Sequence, residues 1–154
     1  MTIFVLRHAK AGSRHDWDGG DDERPLSRNG WRQAEALATR LASEAVSGLW
    51  SSPSVRCVQT VEPIGRALDL EIHIEPRLAE GTDVEGSLAL LAEVPDGAVL
   101  CSHGDVIPEL LDGLARRGTR IVGEPDWRKG SLWILDTPGD DGTVATARAE
   151  PPPV

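Results

Sequence analysis

Ile3-Phe4-Val5-Leu6 and Ala98-Val99-Leu100-Cys101 are short runs without a polar residue, each followed within two residues by a histidine. A strand with one wet face alternates apolar and polar side chains, whereas a strand buried on both faces does not. Strands of the second kind need cover above and below, so helices must pack on both sides of their sheet. The intervening segments supply them. Ser27 is an N-cap residue for a helix running to about Ala45, with Trp31, Ala34, Leu37, Ala38, Leu41 and Ala45 on one face. Gly48-Leu49-Trp50-Ser51 reads as a strand. Ser52-Pro53 then gives an N-cap and a first-turn proline for a helix to about Leu68. Glu71 to Ile74 alternates as a strand with an exposed face, and Asp83 to Val94 reads as a helix. Asp105 is expected to cap a helix through Arg117. Ser131–Leu135 and Thr143–Ala147 form a closing hairpin around Gly139-Asp140-Asp141-Gly142.

The order β-α-β-α-β-α-β-α-β-β predicts an α/β fold. It is a three-layer sandwich with a mostly parallel central sheet flanked by helices, the last two strands lying antiparallel at an edge. A length of 154 residues suits a single domain, expected over residues 1–148, with a disordered tail at 149–154 ending in consecutive prolines.

Sixteen basic residues against 25 acidic ones give a net charge of -9. Such a surface repels nucleic acid and anionic membranes, so neither is an expected partner. An anionic ligand then requires cations gathered at one place. Cys57 and Cys101 lie in apolar contexts and read as reduced core thiols. Neither a secretory signal nor a stretch long enough to span a bilayer is present, so a cytoplasmic protein is expected, with a monomer as the default. His15-Asp16 and His73 lack metal-ligand spacing. Lys129-Gly130-Ser131 lacks the upstream glycine of a P-loop, and Ser102 has no nucleophile-elbow surroundings.

In open α/β sheets, ligands bind beyond the carboxyl ends of the strands. The apolar runs Ile3–Leu6 and Ala98–Cys101 each lead to a histidine there, as Arg7-His8 and as Ser102-His103. Either histidine alone is ordinarily a surface or core residue; two at equivalent strand ends, one preceded by arginine, point to a site. Arg56, in the first turn of its helix, adds a fork-shaped cation beside free backbone N–H groups, which suits a phosphate. Lys10, Arg14 and Arg24 are further cations near the first loop, with Lys10 a candidate substrate contact, although solvated charges are the simpler reading. Trp17 stands in the same polar loop as a possible pocket wall, whereas Trp31, Trp50 and Trp133 read as core.

Leu6-Arg7-His8-Ala9, Ser51-Ser52-Pro53 with Arg56, and Ser102-His103-Gly104 resemble, in order and spacing, the signature segments of the histidine phosphatase (phosphoglycerate mutase-like) superfamily. The resemblance covers roughly residues 2–135, and the short length is similar to the compact SixA-type phosphohistidine phosphatases. Gly19 to Leu37 is also similar to the phosphatase domain attached to some actinobacterial Nudix hydrolases. The resemblance implies that neutral His8 attacks phosphorus and forms a phosphohistidine that water hydrolyses. Arg7, Arg56 and protonated His103 surround the phosphoryl oxygens, and no metal or other cofactor is needed. Glu80 matches the position of the proton donor in one branch of the family, with Asp105 as a rival. The substrate implied is a phosphohistidine protein or a small phosphorylated metabolite. Two departures stand out. Ala9 replaces the usual glycine, and there is no room for the insertion that mutases close over their sugar phosphate, which argues against a mutase. The alternative is a catalytically weak domain of the same fold that binds a phosphorylated ligand or a protein.

Overall fold

The strand β1 (Thr2–Arg7) sends its side chains alternately to two separate cores. Ile3 and Val5 pack with Leu88, Leu91, Ile107, Leu110 and Leu111 on one face. Phe4 and Leu6 pack with Leu37, Leu41, Val61 and Ile64 on the other. This is the physical meaning of an uninterrupted apolar run: each face of the sheet has its own helical layer. The computed structural model describes residues 1–139 and 141–153; Asp140 of the hairpin turn and Val154 of the tail lie outside them.

Helices α1 (Arg28–Leu41) and α2 (Val55–Leu68) cover the Phe4 face. Helices α3 (Val84–Glu93) and α4 (Val106–Arg116) cover the Ile3 face. The remaining strands are β2 (Gly48–Ser51), β3 (Ile72–Ile74), β4 (Ala98–Ser102), β5 (Arg120–Val122), β6 (Leu132–Asp136) and β7 (Thr146–Glu150). Among the described residues they form one seven-stranded sheet in the order β3-β2-β4-β1-β6-β7-β5. β3, β2, β4 and β1 pair in parallel with one another in that order, as β5 does with β7. β6 runs antiparallel to both β1 and β7. The sandwich expected from the sequence is therefore present. Among the described residues, no helix is long and apolar enough to cross a membrane.

Several local expectations need correction. The last hairpin does not lie at an edge: β6 joins β1, and the unanticipated β5 takes the edge position. With only Ile121 partly buried in β5, the three residues carry too short a pattern to read. Helix α2 begins at Val55 rather than directly after Ser52, and Ser54 is its N-cap. Asp105 makes no side-chain capping bond to α4; its Oδ2 accepts the Gly81 N–H instead, at 2.7 Å. Ala149 and Glu150, assigned from sequence to the tail, pair with Trp133 and Leu132 as the end of β7.

The sheet order fixes where a ligand can sit. β1 and β4 are adjacent, but the chain leaving β1 leads to α1 on one face and the chain leaving β4 leads to α4 on the other. The strand ends therefore part and open a crevice. Register places Arg7 opposite Ser102, so His8 and His103 emerge side by side.

Candidate active site

The backbone after β1 is held so that His8 points into this crevice. Its N–H donates to the Ser102 carbonyl at 3.1 Å, extending the ladder one residue beyond the strand. The next N–H, of Ala9, donates to Thr60 Oγ1 at 3.0 Å, and the Thr60 hydroxyl donates to the Arg56 carbonyl at 2.6 Å. Thr60 thus couples the histidine-bearing loop to the helix that carries Arg56. Ala9 is fully buried, and among the described residues Asp69 is the only non-glycine with positive φ. Position 9 therefore makes no demand for glycine's extra conformations, which explains why alanine is accommodated there.

His8 is 5 % exposed, and its Nδ1 lies 2.8 Å from the Ala9 carbonyl oxygen. A carbonyl only accepts, so Nδ1 carries the ring proton and Nε2 keeps its lone pair. Burial pushes the His8 pKa down to about 3; the Ala9 carbonyl opposes that shift, while His103, Arg56 and Arg7 reinforce it. The imidazole is consequently neutral near pH 7, the form in which a histidine can attack phosphorus.

His103 is 2 % exposed, and its ring meets that of His8 edge-on with centroids 5.4 Å apart. Its Nε2 lies 2.8 Å from Ser52 Oγ and 3.5 Å from Cys57 Sγ. Arg56 is 1 % exposed. It donates to the Asp21 carbonyl at 2.7 Å, to Asp21 Oδ2 at 3.3 Å and to Glu80 Oε2 at 2.9 Å. Arg7 donates through Nη1 to the Trp127 carbonyl at 2.6 Å. The buried Nε atoms of Arg7 and Arg56 have no hydrogen-bond partner among the described residues. A Cβ on Gly104 would stand 2.6 Å from the Arg7 guanidinium carbon, so the glycine after His103 makes room for this cation.

These groups line a cleft of about 430 Å³ together with Arg14, Arg24, Lys129, Asp105 and the loop 11–13. The five arginine and lysine side chains exceed the carboxylates Glu80 and Asp105, although the whole chain is acidic. The structure thus brings together Arg7, His8, Arg56, His103 and Glu80. Lys10 is different: it is exposed and does not line the cleft. Its N–H donates to Gln33 Oε1 and its carbonyl accepts from Ser27, which ties this residue to the start of α1. Trp17 is likewise absent from the lining and donates through Nε1 to the Gly20 carbonyl.

Sequence reasoning missed four contributors. Lys129 lines the cleft, Asp21 pairs with Arg14, Arg24 and Arg56, Ser52 lies against His103, and Thr60 holds the loop after His8 through the Ala9 N–H. Thr60 left a faint signal, since four residues after Arg56 is the same helical face. Asp21 left none, standing among other acids in a polar loop.

Residues 3–93 match the family described as histidine phosphatase superfamily (branch 1). The chain belongs to this superfamily. His103 lies beyond the matched segment, so its place beside His8 rests on the geometry alone. The chain is 37 % identical over 158 aligned residues to an 8-oxo-(d)GTP phosphatase of Mycolicibacterium smegmatis. That match takes in 99 % of this chain but 48 % of the relative, so the chain spans about half of that protein's length. Among solved structures, the protein histidine phosphatase SixA complexed with tungstate superposes with a TM-score of 0.74. At 24 % identity over 97 % of this chain and 94 % of that one, the likeness is one of fold. A putative phosphohistidine phosphatase SixA from Nakamurella multipartitia gives a TM-score of 0.72 at 26 % identity, over 97 % and 92 % of the two chains.

Proposed function

We propose that this histidine phosphatase takes a phosphoryl group from a small phosphorylated metabolite onto Nε2 of His8 and then passes it to water. The observation that carries the reading is the state of His8: a buried, neutral imidazole whose Nδ1 faces a carbonyl, in a cleft otherwise rich in fixed cations. Arg7, Arg56 and His103 surround the position of a phosphoryl group bound to that nitrogen. The guanidinium charges of Arg7 and Arg56 are in place before the reaction and match the negative charge spread over the equatorial oxygens in transfer, with the His103 ring beside His8. The mechanism routes no step through a metal.

Glu80 is the candidate proton donor when an ester oxygen departs, and Asp105 holds its loop through the Gly81 N–H. Glu80 is also engaged by Arg56 at 2.9 Å and by Arg14 at 3.7 Å. That engagement favours leaving groups that depart without a proton. The 8-oxo-(d)GTP phosphatase relative supports a nucleotide phosphate as the metabolite. The SixA-like neighbour above 25 % identity supports a second reading, phosphohistidine on a protein, in which the leaving imidazole also needs little protonation.

The test compares wild type with His8→Ala on p-nitrophenyl phosphate in EDTA. The variant should lose activity by at least about a thousandfold. Wild-type protein quenched during turnover of a 32P-labelled substrate should carry acid-labile, alkali-stable label that His8→Ala lacks. Undiminished turnover in the variant would overturn the proposal.

A further inference from the structure

The lysine at this cleft is Lys129, not Lys10. Lys129 stands in a turn closed by the Ser131 N–H on the Arg128 carbonyl at 2.9 Å. The neighbouring Gly130, at φ +86°, directs its N–H to the carbonyls of both Arg7 and His8 at 3.1 Å. Lys129 is therefore built onto the backbone of the nucleophile itself. Partial burial of its ammonium and then the charges of Arg7, Arg24, Arg14 and Arg56 lower its pKa. Asp21 and Glu80 already pair with Arg14, Arg24 and Arg56, and an ammonium added beside these groups favours a further anion.

Depth separates the roles of these cations. His8, His103 and Arg56 lie at the buried floor, where the transferred phosphoryl group would sit. Lys129 is exposed, and so is the Arg14 side chain, which the ion pairs with Asp21 and Glu80 hold over the cleft at 3.4 and 3.7 Å. Floor and mouth thus offer two successive positions for negative charge.

We infer that Lys129 and Arg14 form a second anion subsite at the mouth of the cleft, which takes the phosphate adjoining the one transferred, so that the favoured substrates carry a phosphoanhydride (P–O–P) linkage. The inference rests on the His8 phosphatase reading. In the first step, the bond from His8 Nε2 to the terminal phosphorus forms as the bridging P–O bond breaks. The electron pair stays on the bridging oxygen of the leaving phosphate, a stable anion at neutral pH that requires no proton from Glu80. Lys129 and Arg14 meet the charge that develops there. In the second step, water oxygen bonds to phosphorus and the P–N pair returns to Nε2. The neutral ring is restored, and the hydrogens of the water leave with orthophosphate.

ADP and AMP present the same nucleoside with and without the second phosphate. In EDTA, the wild-type ratio of kcat/KM for ADP over AMP should exceed about ten. It should fall about tenfold in Lys129→Gln and in Arg14→Gln, the worth of one charge-assisted contact. A wild-type ratio near one, or a ratio unchanged in both variants, would overturn the subsite. Should wild type turn over neither nucleotide nor p-nitrophenyl phosphate, the His8 reading fails on its own and calorimetry decides the subsite. Wild type should then bind pyrophosphate about tenfold more tightly than orthophosphate, with that preference gone in Lys129→Gln. Equal wild-type affinities would reject the subsite independently of catalysis.

Discussion

At the scale of single residues, the unusual state of His8 has a thermodynamic consequence. Its pKa is 6.5 without the fold and about 3 within it, chiefly through burial. Between those values the unfolded chain holds a proton at this position and the folded chain does not. Stability therefore rises with pH across the window, is fully present above about 6.5, and is lost as pH falls toward 3. Lowering the pH from about 7 to about 4.5 should cost wild type roughly 2–3 kcal/mol more than it costs His8→Gln. Urea unfolding of both proteins at the two pH values reads this difference, and equal losses would mean that His8 is not buried in its neutral form. The same low pKa keeps the nucleophile unprotonated through mildly acidic solution, so protonation of His8 should not limit kcat/KM until well below pH 5.

At the scale of elements, the site depends on how closely α1 approaches the loop after β1. The Lys10 carbonyl accepts from the Ser27 N–H at 2.9 Å and from Ser27 Oγ at 3.1 Å, while Ser27 Oγ accepts from the Gly30 N–H as the helix cap. A Cβ on Gly30 would fall 1.9 Å from that carbonyl oxygen, a backbone atom that cannot swing aside. Gly30→Ala must push helix and loop apart, and is expected to cost roughly 1–3 kcal/mol, as overpacking does. Because the loop leads back through Ala9 to His8, activity should fall as well. Gly20→Ala is the control: nothing lies within 4 Å of its Cβ, and its φ of -62° suits alanine. Thermal unfolding and ester hydrolysis of the two variants check this, and equal behaviour would dismiss the close approach as unimportant.

At the scale of the whole molecule, β7 ties the end of the chain to both the sheet and α1. Glu150 accepts from Arg40 Nε at 2.9 Å and Nη2 at 2.7 Å, a two-pronged, partly buried pair that also engages Glu44. A chain stopping after Arg148 loses this clamp and the pairings of Ala149 and Glu150 with β6. It should be less stable by roughly 2 kcal/mol, whereas a chain stopping after Pro151 should match the full length within error. Denaturant midpoints of the two truncations decide where the domain ends. The net charge of -9 also acts at this scale, because the cleft gathers five arginine and lysine side chains in a chain that is acidic overall, which favours the approach of anions to it.

Much of this was legible from local chemistry. The apolar runs dictated strands covered on both faces, and those strands had to end in Arg7-His8 and Ser102-His103 because polarity begins there. Arg56 was visible as a cation near a helix start. The tertiary structure alone decided which long-range partners met these residues. Nothing local distinguishes Asp21 from its acidic neighbours, yet three arginines converge on it. Lys10 follows His8 by two residues whereas Lys129 is far from every site segment in sequence, and only the approach of α1 to one and of the Arg7-His8 backbone to the other determines which lysine lines the cleft. Sequence pattern records burial and period, properties of one segment. Charge pairing across the crevice between β1 and β4 depends on distances between segments, which only the assembled sheet sets.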